Sequence, residues 1–168
     1  EVTKAFQEIN QYTYSGFDTE TKPVFVKGDY NDISLIQIST PLKTYLIRIH
    51  LTGITDEMIA YFQNPDHYKV GVGLRDDIIG LKKLRDFNAN AFLELNEMVN
   101  KLDIEANGLR KLTAIILGFR ISKNAQVSNW EATELSTKQQ VYAATDAWVC
   151  LKMYQKLIEM PVFNAGNN

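Results

Sequence analysis

The spacing of apolar residues along this chain changes from strand-like to helix-like after the first third. Three short runs rich in apolar and β-branched residues come first, separated by turn-like segments that include GDYND and TPLK. The runs extend from Tyr14 to Glu20, from Ser34 to Ser39 and from Tyr45 to Ile49. Strands joined by such short connections usually pair antiparallel, so the sequence predicts a three-stranded meander.

Helices and strands alternate in the rest of the chain. The helical segments show apolar residues three or four positions apart, and Asn-Pro or Gly marks several of their ends. The predicted elements are a helix from Thr55 to Asn64, a strand from Tyr68 to Val72, a helix from about Asp76 to Asp86, a short strand from Phe92 to Glu94, a helix from Gly108 to Leu117 and a final helix from Thr137 to Met160. This order predicts an α/β fold, in which helices flank a mixed β-sheet with an antiparallel meander and parallel strands.

Length and composition fit one globular domain. The chain has 168 residues, of which 45% are hydrophobic, so it can bury a sizeable core. We predict a single domain over residues 1–163 and a disordered tail over residues 164–168. No apolar run approaches the roughly 18 residues of a membrane span, and the N-terminal stretch lacks the layout of a signal peptide. With its single cysteine, Cys150, the chain is expected to be soluble and to occupy the reducing cytoplasm.

The net charge of −2 argues against a strong, non-specific nucleic-acid binder. It does not exclude a metal-dependent nuclease, because such a site gathers acidic residues and the bound cations meet the phosphate. Two short basic clusters are present, one from Lys82 to Arg85 and one formed by Arg110 and Lys111. Clusters of this kind are more typical of solvated helix faces than of phosphate contacts.

The first candidate for chemistry is the sequence Phe17-Asp18-Thr19-Glu20 in the first predicted strand. Side chains two positions apart on a strand point to the same face, so Asp18 and Glu20 lie side by side. Like charges this close are costly to bury, whereas Mg²⁺ and Mn²⁺ prefer carboxylate oxygens as ligands. Taken alone, two acids at this spacing are more typical of an exposed strand end.

The second candidate is Asp77, at the passage from a strand into a helix. Either Asp76 or Asp77 could supply the functional acid at this passage. Asp77 is favoured, because Asp76 is placed to cap the helix N-terminus whereas Asp77 falls where a first-turn side chain can face the sheet. The pair Gly71 and Gly73 also suggests a dinucleotide-binding loop. That interpretation is disfavoured because Asp76 stands where the third glycine is expected, and no ribose-binding acid follows at the usual distance.

The third candidate is the pair Tyr142 and Asp146 in the last predicted helix. Their spacing of four residues puts both on one helix face, and the small residues Ala143, Ala144 and Ala147 permit a close approach to the sheet. A tyrosine and an aspartate one turn apart are frequent on half-exposed helices. The case for a site therefore depends on the co-occurrence of all three candidates.

Together these motifs resemble those of the DEDD exonucleases, in the Tyr-bearing subgroup that includes ribonuclease D and the Werner-syndrome-type exonuclease domain. FDTET looks like the first exonuclease motif, VGVGLRDD like the second and YAATDA like the third. The segments SLIQIS and SNW are also similar to the Werner-type proteins, and the resemblance covers most of the chain. All four acids and the tyrosine are in place and in order.

The resemblance implies a ribonuclease-H-like fold and a metal-dependent 3′-5′ exonuclease that releases nucleoside 5′-monophosphates. It also implies two divalent cations, Mg²⁺ or Mn²⁺, where the motifs converge. By similarity, Asp18 is expected to bridge both ions, and Glu20 and Asp146 to hold the ion on the nucleophile side. Asp77 is expected to support the second ion, directly or through water, and Tyr142 to orient the attacking water.

Nucleic acid with a single-stranded or 3′-recessed end is the expected partner, and the Werner-like motif context favours DNA over RNA. Residues close to the motifs are candidates for binding the terminal nucleotide: Thr19, Leu74, Ile78 and Trp130. For Leu74, Ile78 and Trp130, a place in the core is at least as compatible with the sequence. The alternative is a domain that binds nucleic-acid ends or a protein partner without cutting, because fold alone does not guarantee activity.

Overall fold

The computed structural model describes residues 1–105 and 107–164, and within them five strands form one mixed sheet. The strands are β1 (Tyr14–Thr21), β2 (Ile33–Ser39), β3 (Thr44–Ile47), β4 (Tyr68–Gly71) and β5 (Phe92–Glu94). Their order in the sheet is β3-β2-β1-β4-β5. The β1–β2 and β2–β3 pairs are antiparallel, whereas the β1–β4 and β4–β5 pairs are parallel. The predicted meander and the α/β class are confirmed.

Helices connect and cover these strands. They are α1 (Val2–Ile9), α2 (Ile49–Thr52), α3 (Asp56–Gln63), α4 (Leu74–Leu84), α5 (Leu95–Asn100), α6 (Leu109–Leu117), α7 (Thr137–Ile158) and α8 (Pro161–Asn164). The helices predicted at α3, α4, α6 and α7 are confirmed, with small differences at their ends. The short helices α2, α5 and α8 were not predicted, because four to six residues are too few to show a helical period. The omission of α1 was an error, since Val2, Phe6 and Ile9 carry the apolar spacing of a helix.

The start of α4 differs from the prediction in a way that affects the site. Gly73, just before the helix, adopts the left-handed conformation with φ 73° and ψ 30°, which glycine accepts without steric cost. The Glu94 carboxylate accepts a hydrogen bond of 2.9 Å from the backbone N–H of Leu74 and so satisfies a free donor at the helix end. The prediction that Asp76 caps this helix was wrong, because Asp76 lies in the first turn.

Apolar side chains fill the two faces of the sheet. One buried cluster includes Phe6 from α1, Phe17 from β1 and Phe62 from α3. A second cluster includes Leu112 from α6 and Val149 from α7. Because side chains alternate along a strand, Phe17 points into the first cluster while its neighbours on β1 face α7.

The long helix α7 approaches β1 unusually closely. A Cβ atom placed on Gly16 would lie 2.0 Å from the carbonyl oxygen of Ala147 and 3.0 Å from the backbone nitrogen of Leu151. The strand must therefore have glycine at this position. Ala143 and Ala147 are fully buried, as expected for the small residues through which α7 was predicted to approach the sheet.

The structure bears on the expectations about the cysteine, about membrane spans and about the C-terminal tail. Cys150 is a buried free thiol on α7. Among the described residues, no helix has both the length and the apolar character needed to cross a membrane. Asn164, which was assigned to a disordered tail, is the last residue of α8, and the remaining tail residues, 165–168, lie outside the described part of the chain. The single domain over residues 1–163 stays a prediction.

Replacing Gly16 by alanine should destabilise the protein, because the added methyl group would overlap the backbone of α7. Overpacking of this kind typically lowers the free energy of unfolding by about 1 to 3 kcal/mol. Gly80→Ala is the matched comparison, since its Cβ would meet only the movable end of the Ile33 side chain and alanine is the better helix former. Thermal unfolding of both variants measures the difference. Equal melting temperatures would show that α7 is not held this closely to β1.

Candidate active site

Strand β1 and helix α7 bring three acidic side chains together. Asp18 and Glu20 lie on β1, two residues apart and therefore on one face. Asp146 lies on α7, directly before the residue whose backbone touches β1. One carboxylate oxygen from each of these three acids lies within 4.8 Å of the other two. The first and third predicted motifs therefore converge.

The second motif reaches the same region from α4. Asp77 lies in the first turn of α4, and its Oδ1 accepts a hydrogen bond from the hydroxyl group of Thr19. Thr19 sits between the two acids of β1, and its backbone N–H donates a hydrogen bond of 2.9 Å to Oδ1 of Asp18. Asp77 is thus tied to the strand that carries the cluster, although it is not one of the three acids within 4.8 Å.

Burial raises the pKa of all four carboxyl groups, and repulsion from neighbouring acids adds to the rise for Asp18, Glu20 and Asp77. Loss of water raises the pKa of Asp18 well above its usual range, and the charges of Asp77, Asp146 and Glu20 add to the rise. Burial, reinforced by the charge of Asp146, raises the pKa of Glu20 from 4.5 to about 8. Burial raises the pKa of Asp77 from 3.8 to about 6, and that of Asp146 likewise from 3.8 to about 6. Ionisation of these acids is therefore unfavourable in the metal-free site.

The charge of Arg110 lowers the pKa of Glu20 and Asp146, but no basic side chain of the described residues forms an ion pair with the acids of the site. In residues 1–105 and 107–164, the ion pairs within 4.0 Å involve only acids elsewhere in the fold. Gln37 on β2 donates a hydrogen bond of 3.3 Å to Oε1 of Glu20, but an amide carries no charge. A divalent cation would supply the missing positive charge, and carboxylate oxygens are ligands that Mg²⁺ and Mn²⁺ prefer. The donor set of Asp18, Glu20 and Asp146 fits such an ion.

Tyr142 lies beside the carboxylates, one turn before Asp146 on α7. Its hydroxyl oxygen accepts a hydrogen bond of 2.8 Å from Nη2 of Arg110. Its ring packs on the ring of Trp130, with the two centroids 5.9 Å apart. Burial raises the pKa of the phenol, and the charge of Asp146 raises it further. The phenol is therefore protonated at neutral pH and acts through hydrogen bonds.

An open cavity of about 470 Å³ borders the carboxylates. The motif residues that line it are Asp18, Thr19, Glu20, Tyr142 and Asp146. Its other polar walls include Arg110, Asn96, Asn107 and Gln126. This volume falls in the range of roughly 300 to 1,000 Å³ that is typical of small-ligand sites, so the cavity has room for a terminal nucleotide.

Of the four residues predicted to bind that nucleotide, Thr19 lines the cavity. Leu74 is buried and Ile78 is partly buried, and both pack in the core cluster that contains Phe17. Trp130 has 0% of its surface exposed, so this structure contradicts the prediction that it stacks on nucleic acid. Trp130 instead lies in the core, which was the alternative that the sequence allowed.

Three residues of this region were not predicted: Arg110, Gln37 and Glu94. Arg110 was assigned to a solvated helix face, but its side chain is partly buried and reaches Tyr142. Gln37 could have been noticed, because it is a large polar residue inside the apolar run SLIQIS. The role of Glu94 could not be predicted from its neighbours in the sequence, because its partner, the N–H of Leu74, is 20 residues away in the chain.

A cluster of uncompensated carboxylates in an open cavity is typical of enzymes that use divalent cations to act on phosphate esters. Residues 1–160 match the family model described as 3′-5′ exonuclease. The chain therefore belongs to the 3′-5′ exonuclease family. It is 34% identical over 150 residues to the bifunctional 3′-5′ exonuclease/ATP-dependent helicase WRN of Mus musculus. That alignment covers 84% of this chain and only 11% of the length of the relative.

Solved structures show the same fold. The EXO domain of Nibbler from Aedes aegypti superposes with a TM-score of 0.81 at 25% identity, covering 94% of this chain and 83% of that chain. RNase D of Escherichia coli superposes with a TM-score of 0.83 at 20% identity, covering 98% of this chain and 43% of that chain. These likenesses confirm the ribonuclease-H-like mixed sheet.

The metal-free protein should lose stability as pH rises from about 5 to 8. In this window the native state keeps protons on Asp77, Asp146 and Glu20, whose pKa values are about 6, 6 and 8, whereas the unfolded chain has released them. A native state that binds more protons is destabilised by raising the pH. Denaturant unfolding at several pH values, with a chelator present, measures the slope.

Asp146→Asn tests the cause of this slope. Because a shift of one pKa unit corresponds to about 1.4 kcal/mol, removing the charge should stabilise the metal-free protein at pH 8 by on the order of 1 to 3 kcal/mol and flatten the profile. Asp66→Asn, at an exposed loop position, is the control and should leave the profile unchanged. Burial lowers the pKa of His67 from 6.5 to about 4, so this histidine opposes the slope below about pH 6.5. A wild-type stability that rises between pH 6.5 and 8 would contradict this account of the site.

Proposed function

We propose that this chain is a 3′-5′ exonuclease that hydrolyses phosphodiester bonds at the 3′ end of nucleic acid and releases nucleoside 5′-monophosphates. The observation that carries the proposal is the cluster of Asp18, Glu20 and Asp146, with oxygens within 4.8 Å of one another beside an open cavity. A module that only binds a partner gains nothing from three clustered, largely buried acids without an ion-pair partner, which lower its stability. Their presence favours catalysis.

Two divalent cations, Mg²⁺ or Mn²⁺, would complete the site. When bound, they lower the pKa of a water molecule and take up negative charge that develops on the phosphate. Besides its burial, Asp18 feels the charges of Asp77, Asp146 and Glu20, so it is the acid best placed to bridge both ions. Glu20 and Asp146 would hold the ion on the nucleophile side.

Asp77 would support the second ion, directly or through water. The hydroxyl of Thr19 already occupies its Oδ1. We expect the other oxygen, Oδ2, to serve the ion, while Thr19 holds the carboxylate in orientation. Thr19 would then orient the Asp77 carboxylate in addition to lining the cavity.

Tyr142 would orient the attacking water. The hydroxyl group stays protonated, because burial raises its pKa, so it acts as a hydrogen-bonding group rather than as a free base. Attack of this water on phosphorus breaks the bond to the 3′ oxygen of the preceding nucleotide. The phosphate leaves on the 5′ oxygen of the released nucleotide, which is the reason for a 5′-monophosphate product.

We favour DNA with a single-stranded or 3′-recessed end as the substrate. The Werner-type resemblance of SLIQIS and SNW supports this choice. RNA is the substrate to compare, since the RNase D of Escherichia coli is described as an exoribonuclease. The contacts that would recognise a 2′-hydroxyl are few and local, so direct competition between the two substrates is needed.

Digestion of 5′-labelled oligonucleotides tests the activity. With Mg²⁺ or Mn²⁺, the wild-type chain should shorten single-stranded DNA stepwise from the 3′ end, and RNA of the same sequence more slowly. Asp18→Ala and Asp146→Ala should lower the rate by on the order of 100-fold or more, because residues of one catalytic unit fail together. Mass spectrometry of the released product should find nucleoside 5′-monophosphates.

Two neighbouring acids supply the internal control. Asp76 is exposed and Asp77 is partly buried against the site, so Asp76→Ala should keep the wild-type rate while Asp77→Ala loses most of it. If every substrate stays intact although the wild-type chain binds it, the binding-module alternative replaces the enzyme. A ladder that shrinks equally in Asp18→Ala would point to a contaminating nuclease.

Divalent cations should raise the melting temperature of the wild-type chain. An ion that binds only the native state stabilises it, by about 2.7 kcal/mol at a concentration 100 times its Kd. Asp18→Asn should abolish most of the response to Mn²⁺, whereas Asp76→Asn should retain it. A wild-type melting temperature that does not respond to Mg²⁺ or Mn²⁺ would argue against the proposed cation site.

A further inference from the structure

Arg110 occupies a position in the site that its sequence context does not suggest. It lies in the first turn of α6, next to Lys111, yet Arg110 is partly buried while Lys111 is exposed. Its Nη2 donates one hydrogen bond of 2.8 Å to the hydroxyl of Tyr142 and another of 3.0 Å to the carbonyl oxygen of Ser122. The guanidinium group is thus held between α7 and the segment that follows α6.

The charge of Arg110 is not used in an ion pair. Within the part of the chain that the structure describes, no carboxylate lies within 4.0 Å of its guanidinium group. The group lines the cavity together with Glu20 and Asp146, but its hydrogen bonds go to a phenol and a carbonyl group. The charge of Arg110 lowers the pKa of Glu20 and Asp146 from a distance, but its side-chain hydrogen-bond partner in the site is Tyr142.

Contacts on two sides fix the ring and the hydroxyl of Tyr142 separately. Trp130, which is fully buried, packs on the ring. Arg110 donates to the hydroxyl oxygen and lies near the ring as well, with its guanidinium carbon 5.7 Å from the centroid. Because the phenol oxygen accepts from Arg110, its own hydrogen is left to donate. The hydroxyl lies beside the Asp146 carboxylate, whose pKa a hydrogen bond from Tyr142 lowers.

We propose that Arg110 is a positioning residue, which acts through Tyr142 by fixing the place and the donor direction of its hydroxyl group. The proposal rests on the proposed function, because Tyr142 matters only if it orients the attacking water. A group that orients a reacting water must be held closely, since small misplacements lower the rate strongly. Arg110 then affects the chemical step rather than the binding of substrate.

A double-mutant cycle distinguishes this role from the others that an arginine can have. Arg110→Met removes the donors and keeps much of the side-chain length, and Tyr142→Phe removes only the hydroxyl. On single-stranded DNA with Mg²⁺, Arg110→Met should lower kcat about tenfold or more and leave KM within about twofold. In the Tyr142→Phe background, the same substitution should change kcat by less than about twofold, because the group it positions is missing.

Matched variants control for charge and folding. Lys111→Met removes the same charge from the neighbouring exposed position and should leave kcat unchanged. Arg110→Lys should recover part of the rate, since an ammonium group can still donate to the phenol. Melting temperatures are measured for every variant, and Arg110→Gln replaces Arg110→Met in the cycle if the methionine variant unfolds.

Each other outcome overturns the proposal in an identifiable way. Equal losses of kcat in both backgrounds would show that Arg110 does not act through Tyr142. A raised KM with unchanged kcat would make Arg110 a ligand of the substrate phosphate instead. A wild-type chain without activity would overturn the proposed function and this inference together, whereas an active chain that is indifferent to Arg110→Met would overturn the inference alone.

Discussion

The contact between Gly16 on β1 and Ala147 on α7 determines where the acids of the site lie. A methyl group at Gly16 would overlap the carbonyl oxygen of Ala147, so the two backbones lie closer together than any side chain at this position would allow. Asp18 follows Gly16 on the same face of β1, and Asp146 directly precedes Ala147 on α7. A larger residue at the contact would move α7 away from the sheet and separate these carboxylates. Packing of the main chain therefore sets the geometry of the acidic cluster.

The same close packing makes the cluster electrostatically unfavourable without a cation. Burial and neighbouring charge raise the pKa of Glu20 to about 8, and burial raises that of Asp146 to about 6. The polar partners of the site lie at its edges: Gln37 donates to Glu20, Thr19 to Asp77 and Arg110 to Tyr142. These contacts position the side chains of the site, and the charge of Arg110 compensates Glu20 and Asp146 only in part. Stability and cation binding are consequently linked, because an ion that enters the cluster removes a cost that folding imposes.

The parts of the site that could be predicted from the sequence follow from local geometry. Asp18 and Glu20 share a face because strand side chains alternate, and Tyr142 lies near Asp146 because helix residues four apart are neighbours. The parts that could not be predicted depend on distant packing. Trp130 lies in an aperiodic segment, so only the folded chain shows that it is buried behind Tyr142.

Arg110 and Asp76 illustrate the same limit at two helix ends. Arg110 sits next to an exposed lysine, and the local pattern gives no indication of which of the two side chains turns towards α7. Asp76 was placed at a cap because the start of α4 was read from its own residues. The actual start depends on Glu94, which accepts a hydrogen bond from the N–H of Leu74 across 20 residues of chain.

The acidity of this site also constrains how a polyanion can enter it. The chain carries a net charge of −2, and among the described residues that line the cavity Arg110 is the basic one. At neutral pH the ionised Asp77 and Asp146, whose pKa values are about 6, already outweigh that single charge until cations bind. Two divalent cations would balance the four acids and leave the charge of Arg110 in excess, so attraction of a phosphate depends on the ions. Bound cations reduce the negative charge that repels a phosphate, and a bound phosphate adds negative charge that attracts cations. Cations and nucleic acid should therefore strengthen each other's binding.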